Sequence, residues 1–332
     1  MGLRWFILRR GLFSLLILFG VIVLNFLIFR IIPGRPLYCS YGHIPGWIDG
    51  GPPNELVANF ELWGVGQPLH IEFIIYVRNL LTFNFGNSAT EGFRPIIGKI
   101  YGRLYDTLLL VGLALVLLIV SSVGSSAIFA ARRGGNFDTG MVVSAFTFKS
   151  IPIPFLGAAL FMLFAFYLPI PGFLPSTVSP PVDPILYVIY RGKLAVLPSI
   201  TLALFCLGNF ILILRSNTLF EMNKEVIELA RFEGMDEETI LAKYAMPDPR
   251  PSLSTQITLF LGGLIGGVIL AETVFGWYGL GNLFYLSLVL QDFGVVHALF
   301  YLFALPLIMI YLLASLLEAG LKFRAQQEGV NS

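Results

Sequence analysis

TLLLVGLALVLLIVSSVGSSAIFAA, residues 107–131, is a long run without a single charged side chain, and Arg132 and Arg133 follow it directly. A helix needs about 20 predominantly apolar residues to cross the hydrocarbon core of a bilayer, which is about 30 Å thick. The run is long enough to cross, and the two arginines mark its end. It therefore predicts a transmembrane helix.

The composition of the whole chain supports the same conclusion. Of the 332 residues, 56% are hydrophobic and 12% are charged, whereas roughly a quarter of the residues of a soluble domain are charged. The apolar runs are continuous, while the strands of a membrane β-barrel are short and alternate between apolar and polar residues. We therefore predict an all-α polytopic membrane protein.

Further apolar stretches predict additional transmembrane helices. The six predicted spans are residues 11–29, about 104–131, 139–169, 197–214, 252–271 and 295–317. Pro152 and Pro154 interrupt the backbone hydrogen-bond ladder inside the third span, which membrane helices tolerate when neighbours or water satisfy the freed groups. The stretch 273–291 is also long enough to cross. Because it opens with the glycine-rich sequence FGWYGLGN, we predict an external re-entrant or surface helix there.

The N-terminus begins like a secretory signal peptide, with basic residues ahead of an apolar core. The apolar run continues to Arg30 without a small-residue cleavage site, so we expect it to remain as the first span. The predicted N-terminal part, residues 1–101, combines this span (11–29) with a large external segment (30–101). Residues 102–318 form the predicted transmembrane domain.

The distribution of Lys and Arg predicts the orientation. With six spans and a cytoplasmic N-terminus, more basic residues fall on the cytoplasmic side than outside, and most of the external ones lie in the long segment, where the positive-inside rule counts least. A seventh span at 273–291 would place Lys322 and Arg324 outside. We therefore predict that both termini are cytoplasmic.

The segment VIELARFEGMDEETILAKYAMP, residues 226–247, is unusually polar and lies between two of the most apolar stretches. It predicts two short helices around Gly234, with Asp236 as the N-cap of the second helix and Pro247 at its end. One apolar edge is predicted on each helix, formed by Val226, Leu229 and Ala230 and by Ile240, Leu241 and Tyr244. The residues alone leave two roles open, a solvated loop and a docking element for a soluble partner.

This segment resembles the EAA loop of ABC-importer permeases, whose pattern is E-A-A-x-x-x-G, nine residues, then I-x-L-P. Glu228, Ala230, Gly234 and Pro247 match the pattern in register. Leu229 replaces the first Ala of the pattern, Tyr244 replaces the Ile, and Met246 replaces the Leu. The motif alone is moderately specific.

The resemblance extends along the chain to one branch, the B-type permease subunits of dipeptide/oligopeptide (peptide/nickel) importers. Its segments occur in order as FILRRGLFSLLILFGVIVLNFLIFRIIPGRP (6–36), GQPLHIEFIIYVRNLLTFNFGNS (66–88), the second span with its basic stop (107–138), SIPIPFLG (150–157) and GGLIGGVILAETVFGWYGLGNL (262–283). This resemblance implies the type-1 ABC importer permease fold.

By the same resemblance, the chain and a second permease subunit form the pore in the cell membrane, and two cytoplasmic ATP-binding subunits drive it. An extracellular substrate-binding protein delivers the substrate. Membrane lipid is a further partner, and nucleic acid is not expected as one. The EAA segment would lie in a groove of an ATPase subunit and transmit its closure. The residues assigned to this coupling are Glu228, Ala230, Gly234, Met235, Asp236, Tyr244 and Pro247.

The chain lacks a phosphate-binding sequence of the Gly-x-x-x-x-Gly-Lys-Ser/Thr type. We therefore expect a pore-forming subunit rather than an enzyme, with ATP and magnesium bound by the partner ATPase subunits and no cofactor in this chain. The 3 histidines are scattered and the 2 cysteines form no CxxC pair, so no metal site is expected. The family implies peptides, nickel chelates or oligosaccharides as substrates, and the spans do not decide among them.

The candidates for helix packing or for the pore are Gly262, Gly263, Gly266, Gly267, Lys149, Asn209 and Glu272. The paired glycines either let membrane helices approach closely or form a sliding pore interface. Lys149 lies inside an apolar run, so it either faces a cavity or snorkels to the interface. Asn209 either bonds another helix or meets the pore. Glu272 is either capped or solvated, or contacts the substrate or the binding protein.

Two other classes of protein compete with an ABC importer. A stand-alone secondary transporter would need paired intramembrane acids or an ion-coordinating broken helix, and the predicted spans are nearly devoid of acidic residues. A membrane-embedded enzyme would need a constellation such as HExxH, which the sequence lacks. The external segment 30–101 either covers the pore mouth and helps to dock the binding protein, or is a plain structural cover.

Overall fold

The computed structural model describes residues 3–31, 54–88, 90, 92, 94–131, 135–168, 181–222, 225–240, 263 and 266–330. The helices in chain order are α1 (Leu3–Ile31), α2 (Asn54–Trp63), α3 (Leu69–Leu81), α4 (Ile96–Ala131), α5 (Asn136–Ser150), α6 (Ile153–Met162) with a π-helical turn at Leu163–Tyr167, α7 (Pro184–Met222), α8 (Glu225–Phe232), α9 (Glu237–Ile240), α10 (266–274), α11 (Leu280–Val289) and α12 (Phe293–Val330). Over these ranges the regular structure is helical, apart from one isolated bridge between Asn87 and Pro95. The prediction of an all-α protein is confirmed for the described part of the chain.

Several of these helices are long and apolar enough to cross a membrane. Within the described ranges there are 4 such helices, or up to 5 when a bent helix pair is counted as one span. They are Ile7–Ile28, Ile96–Ser121, Pro184–Leu212 and Phe293–Leu317, with Asp138–Ser150 and Ile153–Tyr167 as the bent pair. A polytopic membrane protein is therefore confirmed. The span predicted at 252–271 lies mostly outside the described residues, so the number six stays a prediction.

The third predicted span is broken rather than continuous. Its two halves, α5 and α6, meet at an angle of 103°. Ile151 has the extended backbone conformation (φ −80°, ψ 120°), as expected of a residue that precedes proline, and Pro152 is the N-cap of α6. The proline pair therefore changes the direction of the chain strongly instead of only loosening one helix.

Helix α7 begins well before the span predicted at 197–214. Its N-terminus is capped by Asp183, whose Oδ1 accepts the backbone N–H groups of Ile185 at 2.9 Å and Leu186 at 3.0 Å. Pro184 occupies the first helical position, where proline is favoured because its fixed φ suits the helix and its missing N–H would be unpaired there. Arg191 and Lys193 lie just before the uncharged run 194–214, but the helix continues through both of them.

The chain divides into two compact units, residues 1–106 with 278–332 and residues 107–277. In the first unit, α1 packs along α12 and also contacts α3. Aromatic rings join α1 to α3, because Phe26 lies 5.2 Å from Phe73 and 5.3 Å from Tyr76 between ring centroids. The core of this unit also includes the buried side chains of Trp63, Leu80, Phe85, Ile96, Leu283 and Leu299.

A buried polar cluster in the first unit fixes the segment after α3 to the start of α12. The carboxylate of Asp292, 1% exposed, accepts hydrogen bonds from the hydroxyl groups of Ser88 and Thr90. The ammonium group of Lys99 lies 2.6 Å from the Ser88 Oγ and 3.8 Å from the Asp292 Oδ2. These contacts attach part of the predicted external segment to the residue that precedes α12. The location of this segment outside the membrane stays a prediction.

In the second unit, α7 is the central element and packs against α5 and α6. Its apolar side chains Leu202, Cys206 and Phe210 share a buried cluster with Leu110 and Leu118 of α4. The hydroxyl group of Ser199 donates a hydrogen bond to the Leu110 carbonyl at 3.1 Å. The long α7 therefore carries the core of this unit.

Candidate functional site

The first half of the EAA segment is a helix that ends in a defined turn. Gly234 has φ +79°, the left-handed conformation that glycine adopts without strain. Its N–H donates to the Arg231 carbonyl at 3.0 Å, and the N–H of Met235 donates to the Ala230 carbonyl at 3.2 Å. These two bonds form the Schellman arrangement that ends many helices. The predicted bend at Gly234 is confirmed.

The second half begins with a side-chain cap. The carboxylate of Asp236 accepts the backbone N–H of Thr239 at 3.0 Å and its hydroxyl at 2.7 Å. This satisfies one of the unpaired N–H groups at the start of α9. The prediction that Asp236 is the N-cap is confirmed, whereas Tyr244 and Pro247 lie outside the described residues.

The two short helices pack through a small apolar cluster. Ile227 is 1% exposed, Ala230 4% and Ile240 0%, and Met235 packs against them. Of the predicted apolar edge of α8, Ala230 is in this cluster, whereas the side chain of Leu229 is 61% exposed. The buried edge is formed by Ile227 and Ala230, which are spaced i and i+3 on one face of α8.

The outer face of α8 presents apolar side chains to the surroundings. Leu229 is 61% and Phe232 is 88% exposed, and they lie next to exposed Glu228. Leu229 and Phe232, spaced i and i+3, therefore form an exposed apolar pair on an otherwise charged helix. We call Glu228, Leu229 and Phe232 the outer face of the elbow that α8 and α9 form.

The predicted packing glycines differ in their surroundings. A methyl group at Gly267 would lie 3.0 Å from Ile153 Cδ1 and 3.1 Å from Leu202 Cδ2, whereas one at Gly263 or Gly266 would meet nothing within 4 Å. Gly262 lies outside the described residues. Close packing inside the second unit therefore depends on Gly267 among the described members of this group.

Two further glycines that sequence reasoning missed also lie at close contacts. A methyl group at Gly208 would overlap the carbonyl oxygen of Ala145 and lie 3.1 Å from the Lys149 backbone nitrogen. One at Gly157 would lie 3.2 Å from Val274 Cγ1 and 3.3 Å from the Phe275 ring. Neither glycine has a second glycine within four residues along its helix, so no paired-glycine pattern indicated them.

The remaining pore candidates have different settings. The side chain of Lys149 is exposed in the last turn of α5, where a positive charge is favoured by the helix dipole. Asn209 belongs to α7, and its side chain lies outside the described part. Neither residue is placed in a buried site by the described contacts.

Glu272 is fully buried, at 0% exposed, so of the predicted alternatives its side chain is capped rather than solvated. The hydroxyl group of Thr107 donates a hydrogen bond to its Oε1 at 2.7 Å, and its backbone carbonyl accepts the Trp277 N–H at 2.8 Å. The guanidinium group of Arg191 stacks over the Trp277 ring, 4.2 Å from the centroid. Thr107, Arg191 and Trp277 are polar or aromatic partners in this region that sequence reasoning did not single out.

The helix predicted at 273–291 is short in the structure. Helix α11 has 10 residues, or about 15 Å of length, which is about half of the thickness of the hydrocarbon core.

In the described ranges, no group of three or more His, Cys, Asp or Glu side chains could hold a metal ion.

Comparison with known proteins gives a family for this arrangement. Residues 122–326 match the family described as "Binding-protein-dependent transport system inner membrane component". The oligopeptide transport system permease protein AppB of Bacillus subtilis is 27% identical over 314 residues, which cover 95% of this chain and 96% of AppB. The probable D,D-dipeptide transport system permease protein DdpB of Escherichia coli is 28% identical over 331 residues, covering 94% and 95%.

A third similar protein is also a permease of a transport system. The glutathione transport system permease protein GsiC of Salmonella choleraesuis is 28% identical over 316 residues, covering 95% of this chain and 97% of GsiC. The family match covers more than half of the chain and includes α8 and α9. The chain therefore belongs to the family of binding-protein-dependent transport system inner membrane components, within the peptide branch of ABC-importer permeases that its motifs resemble.

Proposed function

We propose that this chain is the pore-forming permease subunit of an ATP-driven importer that moves di- or oligopeptides delivered by an external binding protein. The observation that carries the proposal is the elbow of α8 and α9, which is folded by its own cap, turn and apolar cluster. Its outer face remains exposed, as a docking element requires. The relatives named for oligopeptides, D,D-dipeptides and glutathione support the peptide class of substrate.

The proposed assembly contains a second permease subunit, two cytoplasmic ATP-binding subunits and an extracellular substrate-binding protein. ATP and magnesium belong to the ATP-binding subunits. In this proposal the chain crosses the cell membrane six times with both termini in the cytoplasm, and residues 30–101 form a large external segment. The basic residues near the span ends support that orientation.

The elbow is well placed to move the membrane part. Only Asn223 and Lys224 lie between the end of α7 and the start of α8. Helix α7 has 39 residues, or about 58 Å of length, and it carries the core of the second unit. In the proposed mechanism, ATPase closure displaces the elbow and α7 moves with it, because packed helices move as rigid elements.

A co-purification experiment tests the importer proposal. The tagged chain is expressed together with the ATPase and permease subunits of peptide importers from the same organism and extracted in a mild detergent. We expect both partner subunits to be retained. A chain that transports alone, without ever retaining an ATPase subunit, would be a stand-alone secondary transporter instead.

Phe232 offers a sharper version of this test. We expect Phe232→Ser to reduce retention of the ATPase subunits about tenfold or more, since large aromatic side chains dominate many interfaces. The side chain is 88% exposed, so the fold of the chain itself should be unaffected. Phe232→Leu keeps an apolar side chain and is the matched control, which we expect to retain the partner subunits. Equal retention with Ser and Leu would contradict the role of the outer face.

The substrate class is tested with the complete importer in lipid vesicles. Uptake is measured with candidate binding proteins from the same organism and with labelled dipeptides, tetrapeptides, oligosaccharides or a nickel chelate. We expect ATP-dependent uptake of the peptides. Uptake of the oligosaccharides or of the nickel chelate alone would replace the peptide proposal and leave the importer proposal intact.

A further inference from the structure

The N-terminal end of α1 carries a groove that is basic at one end and apolar along the rest. Its volume is about 490 Å³, and it is lined by Arg9, Arg10, Leu12, Phe13 and Leu16. Pockets that bind small molecules have volumes of roughly 300–1,000 Å³. The groove is therefore large enough to hold part of a small amphipathic molecule.

Most of the side chains that line the groove lie in a row along one face of α1. Arg9, Leu12, Phe13 and Leu16 follow the spacing i, i+3, i+4 and i+7, so they share one face of α1. From Arg9 to Leu16 this face extends by about 10 Å along the helix axis, with the positive charge at the helix start. Leu12, Phe13 and Leu16 are 63%, 50% and 62% exposed, so this apolar face is open along its length.

The basic end of the groove is held in place by aromatic residues. The Nη1 of Arg10 donates a hydrogen bond to the hydroxyl group of Tyr311 on α12 at 3.0 Å. The guanidinium group of Arg9 lies over the ring of Trp5, 5.4 Å from its centroid. Trp, Tyr and Arg are the residues that anchor helices at the depth of the lipid headgroups, so the groove begins at the membrane–water interface.

The charge of this end selects an anion. The sequence has no Asp or Glu before Asp49, so α1 contributes positive charge only. On α12, the acidic residue nearest to Tyr311 in sequence is Glu318, about two helical turns further along. Arginine pairs with phosphate through two parallel hydrogen bonds, and the cytoplasmic leaflet is the one that carries anionic lipids.

We propose that this groove binds an anionic phospholipid of the cytoplasmic leaflet, with its phosphate group on Arg9 and Arg10 and an acyl chain along Leu12, Phe13 and Leu16. The proposal uses the cytoplasmic N-terminus given under the proposed function, but it does not depend on transport. Because α1 and α12 both contact this end, a bound lipid would hold the two helices together at the interface.

Native mass spectrometry of the purified chain in detergent tests the proposal, without ATP or partner subunits. We expect the wild type to retain phosphatidylglycerol in preference to phosphatidylcholine. Arg9→Gln with Arg10→Gln should weaken phosphatidylglycerol binding about 30-fold, since two basic residues near an anionic surface are lost. The matched control is Arg78→Gln with Arg94→Gln, which removes two exposed arginines of the same unit and should leave binding unchanged.

Additional ligands and variants in the same experiment distinguish binding of a lipid from binding of a free phosphate compound. Glycerol 3-phosphate alone should bind far more weakly than the lipid, because it cannot use the apolar face, and Leu16→Ala should weaken only the lipid. Tyr311→Phe keeps both charges and should reduce phosphatidylglycerol binding modestly, which provides a test if the double arginine variant does not insert. Equal binding of the two lipids, equal loss in the control pair, or glycerol 3-phosphate binding as tightly as the lipid would each overturn the proposal.

Discussion

At the scale of single residues, Gly208 has the closest contact with a neighbouring helix among the described glycines of the second unit. Its position on α7 brings the backbone against Ala145 and Lys149 of α5. Backbone atoms cannot rotate away as a side chain can, so an added methyl group must separate the two helices. A single glycine without a glycine partner at i+4 therefore determines this packing, which no small-residue pair in the sequence indicated.

We predict that Gly208→Ala lowers the apparent melting temperature of the detergent-solubilised protein. Overpacking a close contact costs about 1–3 kcal/mol, which exceeds the gain of up to about 1 kcal/mol from replacing a helical glycine by alanine. Gly140→Ala on α5 is the matched control, since a methyl group there meets nothing within 4 Å. We expect this control to melt at the same or a higher temperature, and a drop of equal size in both variants would contradict the contact.

The buried carboxyl group of Glu272 gives a second prediction at this scale. Thr107→Val removes the hydroxyl group that donates to Glu272 at 2.7 Å while keeping the shape of the side chain. Leaving a buried acceptor without this bond costs about 1–3 kcal/mol, so we expect a lower melting temperature. Thr107→Ser restores the hydroxyl group and should recover most of the loss, whereas a Val variant as stable as the wild type would show that the bond is dispensable.

At the scale of elements, the elbow shows what the sequence could and could not predict. Gly234 and Asp236 act locally, through a left-handed turn and a cap, and both were predicted correctly. The predicted apolar edge of α8 did not distinguish buried Ala230 from exposed Leu229, because a helix of 8 residues gives too few apolar positions to define a face. Which face is buried is decided by Ile240 and Met235 returning onto it, and this is tertiary information.

The same distinction applies to longer elements. Continuous apolar runs predicted the helices that can cross a membrane, because run length is a local property. The angle of 103° between α5 and α6 could not be predicted, since proline permits a break without fixing its size. The contact of Asp292 with Ser88 and Lys99 joins residues that are far apart in sequence, so no local sequence pattern could predict it.

The left-handed turn at Gly234 leads to a testable prediction about coupling. Gly234→Val should abolish most ATP-dependent uptake by the reconstituted importer while the chain still inserts. The left-handed conformation at φ +79° costs other residues about 1–2 kcal/mol, and valine more because it is β-branched. Space is not the cause, because nothing lies within 4 Å of an added Cβ.

The control for this prediction uses the same position. Asparagine tolerates the left-handed conformation, so Gly234→Asn should keep more uptake than Gly234→Val. ATP hydrolysis is measured in the same vesicles, and we expect hydrolysis in the Val variant to continue without matching uptake. Equal uptake in the wild type and the Val variant would remove the elbow turn from the coupling mechanism.

At the scale of the whole molecule, the proposed topology assigns each connecting segment to one side of the membrane. In the six-span arrangement, the segment before α7 is external and the elbow after α7 is cytoplasmic. Val182 is 100% exposed and lies just before α7, while Glu233 is exposed at the turn of the elbow. One long helix thus separates two accessible positions that the topology places on opposite sides.

Cysteine labelling tests this assignment in intact cells. With Cys39 and Cys206 replaced by alanine, we expect a membrane-impermeant maleimide to label Val182→Cys directly and Glu233→Cys only after the membrane is permeabilised. Both positions are exposed, so a difference in labelling reports the side of the membrane rather than burial. The reverse pattern would place the elbow outside, where it could not meet a cytoplasmic ATPase subunit, and direct labelling of both positions would show that α7 does not cross the membrane.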